Sequence, residues 1–185
     1  MAANSPELVN IEDDEKAQRL DAAASMDAAN IAVRQLAAAV AGAKSKPEEA
    51  ATRILRYAQT KIAYAGDTAR TAKATAKYGP EPGIEELADT MTIVRRGYDD
   101  CDGKARVCVA LLRARGIEAR IRPVRQVGQF THVQAEARWP GSERHLYAQD
   151  AEGWIMLEPT AREARLGEGP NDVIKRTGQL LIHEK

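Results

Sequence analysis

The most constraining feature of the chain is a run from Asp102 to Arg115 with almost no polar face, followed at Gly116 by a change of period. Ala105, Val107, Cys108, Val109, Leu111 and Leu112 cover most of a helical circumference, the pattern of a helix enclosed by other elements. Beyond Gly116, Ile117, Ala119 and Ile121 alternate with Glu118, Arg120 and Arg122. Val133, Ala135, Ala137 and Trp139 then alternate with His132, Gln134, Glu136 and Arg138. Alternation of period two puts each set on its own face of a strand. Two further strands are predicted from His145 to Ala148 and from Trp154 to Glu158, joined by a turn at Asp150 to Gly153. Helices come first and strands after, so the expected class is α+β, with an antiparallel sheet packed on the central helix.

Ahead of that core, residues 1–46 are rich in Ala, Asp and Gln and lack aromatic residues; Val33, Leu36 and Val40 recur at helical spacing. This reads as a helical arm. Alanine favours the helix but buries little area, so the arm needs a surface to lie on, either the domain or another protein. Ser45-Lys46-Pro47-Glu48 has the form of a capping box, ahead of Ala51, Ile54, Leu55, Ala58 and Ile62 on one helical face. Asp67 is placed to cap a further helix that stops at Gly79-Pro80, and a short helix is expected around Ile84 and Leu87. The expected organisation is an arm over 1–46, a domain over 47–162 and an extension over 163–185.

At 185 residues and 44% hydrophobic, the chain can enclose one sizeable core. Lys+Arg and Asp+Glu are equal at 27 each, which excludes whole-molecule attraction to nucleic acid or anionic membrane. The distribution is uneven: residues 1–30 hold two basic and seven acidic side chains, residues 104–125 seven basic and one acidic. The second segment is a candidate basic patch. Arg106, Arg113, Arg115, Arg120, Arg122 and Arg125 are split between helix and strand with no aromatic interleaved, so nucleic-acid binding is a minor reading. No run approaches the ~18 apolar residues of a membrane span, and the start lacks the pattern of a secretory signal. A soluble chain, cytoplasmic as synthesised, is expected. Cys101 and Cys108 lie two turns apart on one helix, too far to bridge, and the histidines at 132, 145 and 183 are scattered without a Cys-x-x-Cys. Free thiols, no metal and no cofactor are expected.

Gly97-Tyr98-Asp99-Asp100-Cys101-Asp102-Gly103-Lys104-Ala105 sets a cysteine where a loop becomes the first turn of the central helix. Unpaired amides and the helix dipole at that end stabilise a thiolate, which is the nucleophilic form. Asp99, Asp100 and Asp102 oppose this by raising the thiol pKa, so a cationic imidazole is needed. His132, on the polar face of its strand, can supply one, and Glu158 can fix its tautomer.

Asp100-Cys101-Asp102-x-Lys104-Ala105, then Leu111-Leu112-Arg113-Ala114-Arg115-Gly116-Ile117, then His132-Val133-x-x-Glu136, then Gly153-Trp154-x-x-Leu157-Glu158-Pro159-Thr160, resemble the bacterial and phage transglutaminase-like superfamily over roughly residues 84–161. The resemblance implies a papain-like α+β fold and a triad of Cys101, His132 and Glu158. Asp100, Asp102, Gln134 and Trp154 become cleft candidates. Two departures stand out: Glu158-Pro159-Thr160 replaces the usual Asp-Pro-Thr, and Asp99 replaces the glycine that commonly precedes Asp-Cys. Gln134 stands where many relatives carry Trp.

The implied activity is acyl transfer or hydrolysis on a peptide or protein amide through a thioester, without a cofactor. A second reading keeps the fold without turnover, as a structural part associated with a phage virion through the Ala-rich arm.

Overall fold

The computed structural model describes residues 7–9, 13–65, 85–125 and 131–179. Its helices are α1 (Asp13–Ala29), α2 (Ile31–Ala41), α3 (Pro47–Lys61), α4 (Thr90–Arg96), α5 (Cys101–Ala114) and α6 (Pro170–Thr177). Its strands are β1 (Glu7–Val9), β2 (Ala63–Tyr64), β3 (Glu85–Leu87), β4 (Tyr98–Asp99), β5 (Glu118–Arg125), β6 (Thr131–Arg138) and β7 (Ile155–Leu157).

The enclosed helix expected from the sequence is α5, in which every residue from Asp102 to Leu112 is buried. α1, α2, α3 and α4 pack on it, as do β5 and β6. Fully buried leucines such as Leu111 and Leu112 contribute about 2 kcal/mol each by transfer from water. Gly116, at φ +72°, turns the chain out of the helix, and the Ile117 amide closes the turn on Leu112 O at 3.0 Å.

β5, β6 and β7 form an antiparallel sheet in that order. Its register sets Ala119 opposite Ala137, Ile121 opposite Ala135, and Leu157 opposite Ala135 on the other side. Small residues on β6 let the sheet sit close to α5. β1 pairs antiparallel with β3, and β2 pairs parallel with β4. Among the described residues, no helix is long and apolar enough to cross a membrane.

α1 and α2 lie on the domain itself. Leu20, Ala24, Val33, Ala37 and Ala41 belong to the same core cluster as Leu111 and Leu112. Charge fixes the placement of α1. Asp21 receives Arg113 Nη2 on both carboxylate oxygens, at 2.9 and 2.8 Å, and also the Ile121 amide at 2.9 Å. Asp27 Oδ2 receives Arg106 Nε at 2.8 Å, Thr90 N at 3.0 Å and Thr90 Oγ1 at 2.8 Å. The acidic start and the basic middle of the chain therefore answer each other, and the candidate basic patch is largely a carboxylate-paired network.

Several local expectations are corrected. Ser45 Oγ donates to Gly42 O at 3.0 Å and Glu48 reaches His145 Nε2 at 3.2 Å, so the capping box does not form; Lys46 is the N-cap, with Pro47 at the first position. Residues 85–87 are a strand, and the helix begins only at Thr90, capped by Asp89, whose carboxylate accepts from Thr92 N at 3.0 Å. The strand expected at His145 to Ala148 is reduced to one bridge between Ala148 and Ile155. Ser142 Oγ donates to Gly153 O at 2.7 Å and accepts from Trp139 N at 3.2 Å, folding this stretch into a tight turn. Ile84 and the helix expected after Asp67 lie outside the described residues.

Candidate active site

The loop before α5 is fixed from two sides. α4 ends at Gly97 in the left-handed conformation, φ +73°. The Ala63 amide then bonds to Gly97 O at 2.8 Å and the Ala65 amide to Asp99 O at 3.0 Å. Asp100 caps α5: its Oδ1 accepts from the amides of Asp102 and Gly103 at 3.0 and 3.2 Å. Cys101 is thus the first residue of the helix.

Asp99 folds over Gly103 so closely that a Cβ there would lie 2.2 Å from the Asp99 carboxyl carbon. That explains a glycine inside a helix where its φ needs none. The acid is balanced by an ion pair with Arg96 and accepts the Asp100 amide at 2.8 Å. An acid at the position where relatives commonly carry glycine is accommodated by a glycine four residues later. One turn into the helix, Lys104 is fully buried and donates from Nζ to Ile62 O at 2.5 Å. Burial lowers its pKa to about 8, against the upward pull of Cys108, Glu158 and Asp99.

Cys101 is part-buried, with Sγ 3.6 Å from Asp102 Oδ1 and the Val133 amide donating to it. Burial first, and then the Asp102 charge, push the thiol up to about 12; the Val133 amide and the Lys16 ammonium act in the opposite direction. At rest the sulfur is protonated. Cys108 is fully buried, and burial likewise raises it to about 12.

His132 stands one residue before Val133. Its Nε2 lies 2.6 Å from Glu158 Oε2. Burial works downward on the imidazole, but the hydrogen bond and charge of Glu158, with the charge of Asp102, outweigh it and hold His132 above its usual 6.5. Glu158 is fully buried just beyond β7, and its Oε1 accepts from Thr160 N at 2.9 Å and Thr160 Oγ1 at 2.5 Å. The Glu-Pro-Thr sequence therefore supplies both a carboxylate and the donors that hold it. With Nε2 committed to Glu158, Nδ1 is the ring nitrogen outside that contact. Among the described residues no hydrogen bond yet joins His132 to Cys101.

Gln59 completes this loop and was not singled out from the sequence. Fully buried on α3, its Nε2 donates to the carbonyls of Glu158 at 3.2 Å, Ala161 at 2.9 Å and Ala164 at 2.9 Å. The available signal was a polar residue four positions after Leu55 and three before Ile62, inside an apolar stripe.

Of the cleft candidates, Asp100 and Asp102 flank the sulfur, and Gln134 is buried on the strand face that carries His132. Trp154 lies elsewhere. Its ring sits 3.9 Å from the Arg120 guanidinium and 4.7 Å from that of Arg138, at the end of β6 remote from His132, roughly 20 Å away at about 3.4 Å per residue. Asp100, Cys101 and Asp102 bring potential metal-ligating atoms within 4.8 Å of one another, but Asp100 is engaged in capping and Asp102 in an ion pair with Lys16.

The helix-start cysteine, the strand histidine and the buried carboxylate are thus carried by one α+β core. The profile of the transglutaminase-like superfamily matches residues 34–159, and the chain belongs to that superfamily. Among solved structures it is similar to a candidate cysteine protease from Cytophaga hutchinsonii, at 15% identity and TM-score 0.47, covering 83% of this chain and 41% of that one. It is also similar to a TGase, at 12% identity and TM-score 0.49, covering 84% of this chain and 35% of that one. The chain thus spans less than half the length of either. No curated protein matches the sequence.

Proposed function

We propose that the chain is a cysteine-nucleophile amidase or acyltransferase acting on peptide or protein amides, with Cys101 as nucleophile, His132 as acid–base and Glu158 as its orienting carboxylate. The observation that carries this reading is the 2.6 Å contact between His132 Nε2 and the fully buried Glu158, beside a strand amide that touches Cys101 Sγ. Because the sulfur is protonated at rest, the first step moves the Sγ proton to Nδ1 of His132, whose raised pKa favours accepting it. The sulfur then attacks the amide carbonyl. Asp100 already occupies the amides of Asp102 and Gly103, so the Cys101 amide is the helix-start donor for the oxyanion. Collapse breaks the C–N bond, and the imidazolium gives its proton to the departing amine. Water or a primary amine then resolves the thioester, its proton passing to His132 and on to the sulfur.

The test is incubation with a peptide-amide and peptidoglycan library, with thioester and product followed by mass spectrometry. Acyl transfer that disappears in Cys101→Ala and persists in Cys108→Ala supports the assignment; full activity in Cys101→Ala refutes it. One observation favours a second reading, a fold kept without turnover as a structural part, virion-associated in a phage: burial holds the Cys101 thiol at about 12. That reading expects no thioester with any member of the library.

A further inference from the structure

α1 lies outside the segment matched by the superfamily, residues 34–159, yet it reaches the carboxylate beside the sulfur. Lys16 Nζ is ion-paired with Asp102 Oδ2, and the other oxygen of that carboxylate, Oδ1, faces Cys101 Sγ at 3.6 Å. A single carboxylate therefore stands between an ammonium and a thiol. Little solvent screens the pair, since the Lys16 side chain is 15% exposed and that of Asp102 7%. The placement does not depend on the pair alone, because Asp21 and Asp27 fix α1 against Arg113, Ile121, Arg106 and Thr90.

The charges around the sulfur come from four elements. α5 brings Asp102, and its cap brings Asp100, engaged with two amides. β4 brings Asp99, paired with Arg96; β6 brings His132, paired with Glu158; α1 brings Lys16. Asp102 is the acid whose charge acts directly against an anion at Sγ, and Lys16 is its counter-ion.

We propose that Lys16 is a positioning residue for the nucleophile: it holds and neutralises Asp102, so that this carboxylate does not repel the anion that forms at Cys101 Sγ. The proposal rests on Cys101 being the nucleophile. A helix that precedes the superfamily core thereby takes part in tuning its chemistry.

The experiment follows iodoacetamide alkylation of Cys101 in the full chain across neutral to alkaline pH by peptide mass spectrometry, with Cys108 as internal control. Lys16→Met is expected to slow alkylation at neutral pH about tenfold, a thiol pKa rise of about one unit. Lys16→Arg is expected to restore the rate, and Asp102→Asn to exceed wild type. In the Asp102→Asn background, Lys16→Met is expected to have a clearly smaller effect, because only the direct pull of the ammonium on the sulfur is then lost. The proposal is overturned if Lys16→Met matches wild type, or slows alkylation equally with and without Asp102. It is also overturned if Lys16→Met exposes Cys108, which would mean that the helix had merely detached. Glu158→Gln separates the two readings. If its profile matches wild type while the Lys16 response persists, the triad fails and the Lys16 coupling stands; the converse removes Lys16 alone.

Discussion

Glu136 on β6 and Glu158 just beyond the end of β7 are both fully buried, and they end in different chemistry. Glu136, on β6, receives Arg122 Nη1 at 2.5 Å and Arg120 Nε at 2.7 Å, both from β5. Glu158 meets His132 and Thr160. A guanidinium stays protonated at any ordinary pH, so Glu136 is permanently neutralised and serves to clamp two strands. An imidazole gains and loses its proton near neutrality, so Glu158 acts on a group that can still change state. Equal burial of the same side chain does not decide its role; the acidity of its partner does.

The most severe way to break the comparison is Glu158→Gln. It keeps shape but withdraws the charge that stabilises imidazolium, and a fall in acyl-transfer rate of up to about 10⁴-fold is expected, with the fold kept and only the pH-dependent part of the stability lost. Glu136→Gln is expected to do the reverse. Activity per folded molecule should remain within about twofold, while chemical denaturation should report a loss of about 2 kcal/mol, since the two arginines left behind are 40% and 46% exposed and can be hydrated.

A gentler probe is pH. The folded-state pKa of His132 is raised above the unfolded value near 6.5, so its contribution to stability is complete below that value and is lost as pH rises through the folded one. Urea midpoints should therefore fall over that window in wild type and in Glu136→Gln, and flatten in Glu158→Gln. A slope that survives Glu158→Gln would assign the effect to another group. The smallest change is expected from Thr160→Val, which removes one of two donors to Oε1 and should lower the rate by about tenfold or less while leaving the contact with His132.

α5 and the β5–β6 hairpin were legible because their signals are local: a helix with no polar face, a glycine stop, then strict alternation. Cys101, His132 and Glu158 were proposed from their positions, a helix start, a polar strand face and a strand end, and then from motif resemblance. Periodicity misled where polarity and burial part company. His132, Gln134 and Glu136 read as the polar face of β6, yet Gln134 and Glu136 are buried, and paired arginines satisfy Glu136. Gln59 and Lys16 act across about a hundred and about ninety residues of chain respectively, and no pattern of spacing records such contacts. The two-residue strands β2 and β4 are too short to carry a period at all.

The salt links of α1 also bear on how such a domain can be recombined. A gene fusion that joined residues 34–159 to an unrelated leader would inherit Arg106, nearly buried, and Arg113 without their counter-ions Asp27 and Asp21. It would also inherit an Asp102 without Lys16 beside the sulfur. Transplanting the homologous segment alone would strand charges in its interior. The leading helix and the core are therefore coupled by charge, and a change at Asp21 or Asp27 calls for a matching change at Arg113 or Arg106 on the far side of the contact.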